Sequence, residues 1–252
     1  MLSRRSFTCT DTGRRRDRNE DALLADDALG LYVVADGVGG RESGEVASQE
    51  AVEQLHSFIR SGQATLTQSM QTPSPENAEA VRRLLESGVQ SACYLVFGMG
   101  EQDPKQKGMS TTLSALLLVG NVGITAQVGD SRIYRLKGGR ESLLTEDHTL
   151  LNEYLKRGDL SEIDSANLKS KRHVITRAVG HRDYVHVDTR VLPVAKGEQF
   201  LLCSDGLHGY LQPGELELLA AQAPQQVPEA CVAFANQRGG IDNTSVVFVS
   251  IE

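Results

Sequence analysis

The chain has 252 residues, with 26 Lys plus Arg against 33 Asp plus Glu and a net charge of −7. That length holds one large domain with a packed core, and the acidic balance argues against a dedicated nucleic-acid binder despite the local run Arg14, Arg15, Arg16 and Arg18. Cys9, Cys93, Cys203 and Cys231 form no Cys-x-x-Cys pair and no zinc spacing with histidine, so reduced thiols and a cytoplasmic protein are expected.

The N-terminus lacks the apolar core of a signal peptide, and no apolar run reaches membrane-spanning length. Residues 6–12 read as an edge strand that turns at Asp11-Thr12-Gly13, and 13–21 as a polar loop. The β-branched run at 31–35 predicts a buried strand that stops at Asp36-Gly37, where the glycine permits close backbone approach. Val46, Ala47, Ala51, Leu55, Phe58 and Ile59 recur at helical spacing over 42–60, and Gly62 ends that helix. The Ser/Thr/Gln/Pro-rich stretch up to Pro75 reads as a surface connection, followed by a second helix over 77–97. A polar loop at 98–108 leads into a meander of strands at 111–119, 124–128 and 132–136, the last turning at Lys137-Gly138-Gly139. The charged region 147–172 reads as a surface flap. Strands at 185–191 and 200–203, helices at 215–222 and 227–237, and a last strand at 245–251 complete the chain. No repeat or linker interrupts it, so residues 1–252 read as one domain. Its blocks of strands and helices favour an α+β class with antiparallel sheet.

Asp36, Asp130 and Asp205 share one grammar: an apolar strand, then Asp, then Gly or Ser. Asp242 stands in the loop before the last strand. A single Asp-Gly is ordinary turn chemistry. Three such acids behind buried strands point to a site, because charge at the mouth of a core is costly unless compensated. If the acids converge, their repulsion calls for a multivalent cation, and oxygen-only donors select Mg²⁺ or Mn²⁺ over Zn²⁺. Arg16 is the expected group for gripping phosphate oxygens bidentately. No Gly-Lys-Ser/Thr follows the glycines at 37, 39, 40 and 44, so a nucleotide P-loop is rejected.

Taken in order, these residues resemble the type 2C metal-dependent protein phosphatases in their compact bacterial form. The resemblance rests on Asp11 through Asp21, Val34 through Gly40, Gly108-Met-Ser-Thr-Thr112, Val128-Gly-Asp130-Ser131-Arg132, Asp147-His148, Ile175 through Gly180, Cys203-Ser-Asp205-Gly206-Leu207 and Asp242-Asn243. It implies a four-layer sandwich of two antiparallel β-sheets flanked by pairs of α-helices. It implies that Asp36 bridges two Mn²⁺ or Mg²⁺ ions, that the Gly37 carbonyl binds one, and that Asp205 and Asp242 complete the first ion's site. Asp130 with Asp205 would hold a third ion. Glu20 and Asp21 would act through bound waters, with Asn243 beside them, and Arg16 would hold the substrate phosphate. Two positions depart from the family pattern: Val38 replaces a histidine found in animal members, and Ser110 stands where glycine is expected.

The expected activity is hydrolysis of phosphoserine and phosphothreonine on proteins by a metal-activated water, reversing a Ser/Thr protein kinase, in a monomer that engages neither membrane nor nucleic acid. With Val38 unable to donate a proton, His208 is one candidate acid, while His148 and His173 read as structural or flap residues. The alternative is a catalytically silent phosphoprotein-binding module on the same fold, which would have no need of all four acids. An aspartyl-phosphate mechanism needs a second acid two residues after the first, and Asp36-Gly-Val38 lacks it.

Overall fold

A computed structural model describes residues 2–39, 43–158 and 173–252. Its strands are β1 (Arg4–Asp11), β2 (Asp21–Asp26), β3 (Leu31–Val38), β4 (Ser110–Thr111), β5 (Leu113–Val119), β6 (Val122–Val128), β7 (Arg132–Lys137), β8 (Arg140–Leu143), β9 (Asp188–Pro193), β10 (Gln199–Cys203) and β11 (Thr244–Ile251). The helices are α1 (Ser43–Ser61), α2 (Gln63–Gln71), α3 (Pro75–Gln102), α4 (Leu150–Arg157), α5 (Asp205–His208), α6 (Glu215–Ala220) and α7 (Val227–Gln237). One sheet runs β1-β11-β10-β7-β8 and the other β2-β3-β5-β6-β9, with β4 added to β3, and every pairing is antiparallel.

The four layers follow from strands that are apolar on both faces. Because strand side chains alternate, Leu31, Val33 and Ala35 of β3 join a core with α1 and α3, while Tyr32 and Val34 face the gap between the sheets. In β11, Val246 and Phe248 pack with α6 and α7, whereas Val247, Val249 and Ile251 enter the intersheet core. Three apolar cores therefore separate four layers, which is the predicted sandwich. Each large side chain buried this way contributes about 1.5–3 kcal/mol.

Four local expectations change. The stretch after Gly62 is not a plain connection: α2 forms there because Leu66 reaches the α1/α3 core and is buried. The second helix extends to Pro75–Gln102, with Ser74 accepting from the Asn77 N–H and Pro75 in the first turn, where its missing donor costs nothing. β2 was not predicted, since its four apolar residues lie between acids on a sheet edge and none is fully buried. β9 begins at Asp188 rather than at 185, because the backbone of Val185 is held by the Gln90 side chain of α3 instead of by the ladder. Of the flap at 147–172, α4 lies within the described residues, and residues 159–172 lie outside them, as do 40–42.

Candidate active site

The two sheets bring the acids to one edge of the sandwich. Asp36 near the end of β3 is paired in register with Asp21 at the start of β2. The opposite sheet supplies Asp205, two residues after β10, and Asp242, two residues before β11. Asp130 lies on the crossover from β6 to β7, where the chain passes from one sheet to the other. Their proximity appears in their proton affinities. Asp36 is pushed well above the ordinary carboxylate range by burial and then by the charges of Asp21, Asp205, Asp130 and Asp242. Burial likewise pushes Asp21 up to about 7, against hydroxyl hydrogen bonds that oppose it, and pushes Asp130 up to about 7 with help from Asp205 and Asp147. Burial also acts upward on Asp205, but the hydrogen bond from His173 and nearby positive charge outweigh it and hold this carboxyl below its usual value.

These residues fit hard divalent cations. The donors are all oxygens, and buried Oδ1 atoms of both Asp21 and Asp205 have no hydrogen-bond partner. Among the described residues, no three acids or imidazoles already surround a common point at ligand distance. Part of the reason is visible at Asp242, whose Oδ2 accepts from Arg16 Nη2 at 2.7 Å.

Hydroxyl groups that the sequence reading passed over hold the acids in place. Thr112 Oγ1 accepts from the Asp36 N–H at 2.9 Å, while the Thr112 N–H and Thr111 Oγ1 donate to the Asp36 carbonyl at 2.8 and 2.9 Å. Thr112 Oγ1 also bonds Ser131 Oγ at 2.6 Å, linking Asp36 to the loop of Asp130. Ser204 Oγ donates to Asp21 Oδ2 at 2.8 Å and accepts from the Ser245 N–H at 3.0 Å, which ties one sheet to the other. The signal was there in Ser131 and Ser204, each adjacent to a strand-end Asp. The glycines after Asp36 and Asp205 have a steric cause: a Cβ at Gly37 would overlap the Gly44 carbonyl, and one at Gly206 the Asn243 carbonyl.

Asn243 organises the loop that carries Arg16. Its Oδ1 accepts from the Glu20 N–H at 2.8 Å, and its Nδ2 donates to the carbonyls of Thr12 at 2.9 Å and Arg18 at 2.8 Å. Asn243→Ala would leave three buried or half-buried backbone groups unpaired, so a loss of about 2–4 kcal/mol is expected in thermal or denaturant unfolding. An unchanged midpoint would show that the loop is held by other contacts.

The remaining predicted residues take the following places. The Glu20 carbonyl accepts from the Gly37 N–H at 3.1 Å and from Ser48 Oγ at 2.6 Å. Burial raises the Glu20 carboxyl above its usual value. Val38 is 38% exposed at the rim, and Ser110 pairs with it in β4, its Oγ donating to the Val38 carbonyl at 3.4 Å. His208, the candidate acid, has its Nε2 donating to the Asp130 carbonyl at 2.9 Å, and burial lowers its affinity for a second proton to about 4. That bond ties it to the Asp130 loop. His148 is buried with its Nδ1 accepting from the Gly129 N–H at 3.1 Å.

The chain resembles known proteins over nearly its whole length. Residues 11–232 match the sequence profile described as Protein phosphatase 2C. A serine/threonine phosphatase stp of Listeria innocua is 34% identical over 245 residues, covering 95% of this chain and 93% of that protein. The serine/threonine phosphatase structure of S. agalactiae superposes with a TM-score of 0.84 at 30% identity, over 99% of this chain and all of that one. The catalytic domain of the phosphatase PstP, solved in complex with two manganese ions, superposes with a TM-score of 0.83 at 26% identity, over 100% and 99% of the two chains. The profile over 11–232 and the 34% identical relative show that the chain belongs to the protein phosphatase 2C family, a class of metal-dependent phosphatases.

Proposed function

We infer that this chain hydrolyses phosphoserine and phosphothreonine monoesters on proteins as a metal-dependent phosphatase. The observation that carries the chemistry is the mutual repulsion of five buried or half-buried aspartates gathered from both sheets. Family membership carries the substrate class. A relative that binds two manganese ions supports two ions at the core, Mn²⁺ or Mg²⁺.

In this reading Asp36 and the Gly37 carbonyl would help to hold the two core ions. Asp205 and Asp242 would complete the first ion's ligands, and Asp130 with Asp205 would hold a third. Bound there, divalent cations supply a water acidic enough to ionise near neutral pH and a counter-charge for the phosphoryl oxygens. Glu20 and Asp21 would accept hydrogen bonds from waters of that shell. Arg16 is half-exposed beside the acids, and its guanidinium turns from Asp242 Oδ2 to the phosphoryl oxygens. Val38 offers no proton, so the leaving alkoxide takes one from water. Residues 1–252 act as one catalytic domain, with the flap at 147–172 shaping access. A Ser/Thr protein kinase as the opposing enzyme, a monomeric state and a cytoplasmic site of action complete the reading. Among the described residues no helix is long and apolar enough to cross a membrane.

The experiment is phosphate release from a phosphothreonine peptide with Mn²⁺ present. Wild type should turn over, and Arg16→Ala should lower kcat/KM by on the order of 10²-fold. Arg16→Lys should restore only part of it, because an ammonium lacks the two-pronged fork. Equal activity in Arg16→Ala would remove Arg16 from phosphate binding, and a trapped covalent phosphoenzyme would overturn the direct-water mechanism.

A further inference from the structure

The basic run at 14–18 is larger than one phosphate grip requires. Beside Arg16 lies an open cleft of about 1180 Å³. One wall is the loop carrying Arg15, Arg16 and Arg18, and the other is the loop after α3 carrying Lys105 and Lys107. Among the described residues two carboxylates, Asp17 and Glu20, line the same space, in a chain whose net charge is −7. Arg15, Lys105 and Lys107 are exposed and make no ion pair among the described residues. Both walls are fixed. Asn243 pins the arginine loop at Thr12, Arg18 and Glu20, and the Arg14 N–H bonds the Gly240 carbonyl at 2.7 Å. Ser43 Oγ of α1 donates to the Lys105 carbonyl at 3.1 Å, and the Lys105 N–H is held by Asp103 Oδ1 at 2.9 Å.

We propose that this cleft is a substrate subsite for acidic side chains that flank the phosphorylated residue. The inference rests on the phosphatase reading above. Arg16 belongs both to the phosphate site and to the cleft, so gripping the phosphoryl group places the adjoining residues of an extended peptide, spaced about 3.3 Å apart, against the cationic walls. Local excess of positive charge in an acidic protein attracts and retains anionic segments, and it does so in a salt-dependent way. The loop ammoniums are long-stemmed and unpaired, suited to carboxylates at variable positions rather than to one fixed residue.

The test compares two phosphothreonine peptides, one flanked by Asp and Glu and one by Ser and Ala, with Mn²⁺ present. Wild type should favour the acidic peptide by about tenfold in kcat/KM, expressed mainly in KM. The preference should disappear in about 1 M salt, where the Debye length is about 3 Å. The triple variant Arg15→Ala/Lys105→Ala/Lys107→Ala should bring the ratio of the two peptides close to one, and Lys105→Arg/Lys107→Arg should keep it. A wild-type ratio near one, or a ratio untouched by the triple variant, would overturn the subsite while leaving the phosphatase reading intact. Failure to release phosphate from either peptide would sink that reading instead. A single-stranded DNA oligonucleotide that inhibits as strongly as the unphosphorylated acidic peptide would assign the cleft to nucleic acid and also overturn the proposal.

Discussion

Asp36→Asn is expected to lower phosphopeptide turnover by about 10³-fold or more while leaving the protein folded. The carboxylate lies in register with Asp21 and carries the repulsion of Asp205, Asp130 and Asp242 as well. Asparagine keeps its shape but supplies one neutral oxygen where two charged ones were shared, which removes the ligand proposed for both core ions. The same change relieves like-charge repulsion in the chelated protein. Its unfolding temperature in chelator should therefore rise, by roughly 2–4 °C for each kcal/mol relieved in a chain of this size. A backbone held by Thr111 and Thr112 has no reason to move, since those bonds go to the Asp36 N–H and carbonyl. Turnover within tenfold of wild type, or a fall in the unfolding temperature, would count against the assigned role. Loss of activity with gain of stability is the pattern expected of a site that stores repulsion for its ligands.

Cation binding should be visible without any catalysis. Mn²⁺ at about a hundred times its dissociation constant is expected to stabilise the fold by about 2.7 kcal/mol per site. For a chain this size that corresponds to a rise of roughly 5–10 °C in the unfolding temperature. Asp205→Asn and Asp242→Asn should each shrink that rise, because each removes one oxygen donor from the edge where the sheets meet. The orphaned Oδ1 atoms of Asp21 and Asp205 are the structural ground for expecting a gain on binding: they are buried and unpartnered. An unfolding temperature that ignores Mn²⁺, or a rise that both variants retain, would dismiss these acids as ligands. Calorimetric titration of the folded protein gives the number of sites directly and separates two ions from three.

Much of this was legible locally. The run Leu31 to Ala35 announced a buried strand because its five apolar residues had nowhere to go but into two cores at once. The glycine after Asp36 announced a close approach, and the Gly44 carbonyl supplies it. Other features were hidden for equally physical reasons. β2 was missed because an edge strand half-covered on both faces has no strong apolar period, although it places Asp21 opposite Asp36. α2 was missed because its composition is polar and only docking of Leu66 gives it a reason to be helical. His208 seemed available to give a proton until the fold showed its Nε2 committed to the Asp130 carbonyl.

The residues alone determined which side chains are ionisable, which strands are buried, and that Asp36, Asp130 and Asp205 sit where apolar runs stop. Those are properties of neighbours along the chain, set by side-chain periodicity and backbone freedom. Only the tertiary structure decided that Asp21 and Asp36 on one sheet meet Asp205 and Asp242 on the other, since intersheet packing joins residues more than two hundred positions apart. The same holds for Asn243, which belongs to the last loop yet shapes the loop of Arg16. It holds too for the cationic cleft, whose two walls come from segments some ninety residues apart that only packing against α1 and the Asn243 clasp brings face to face.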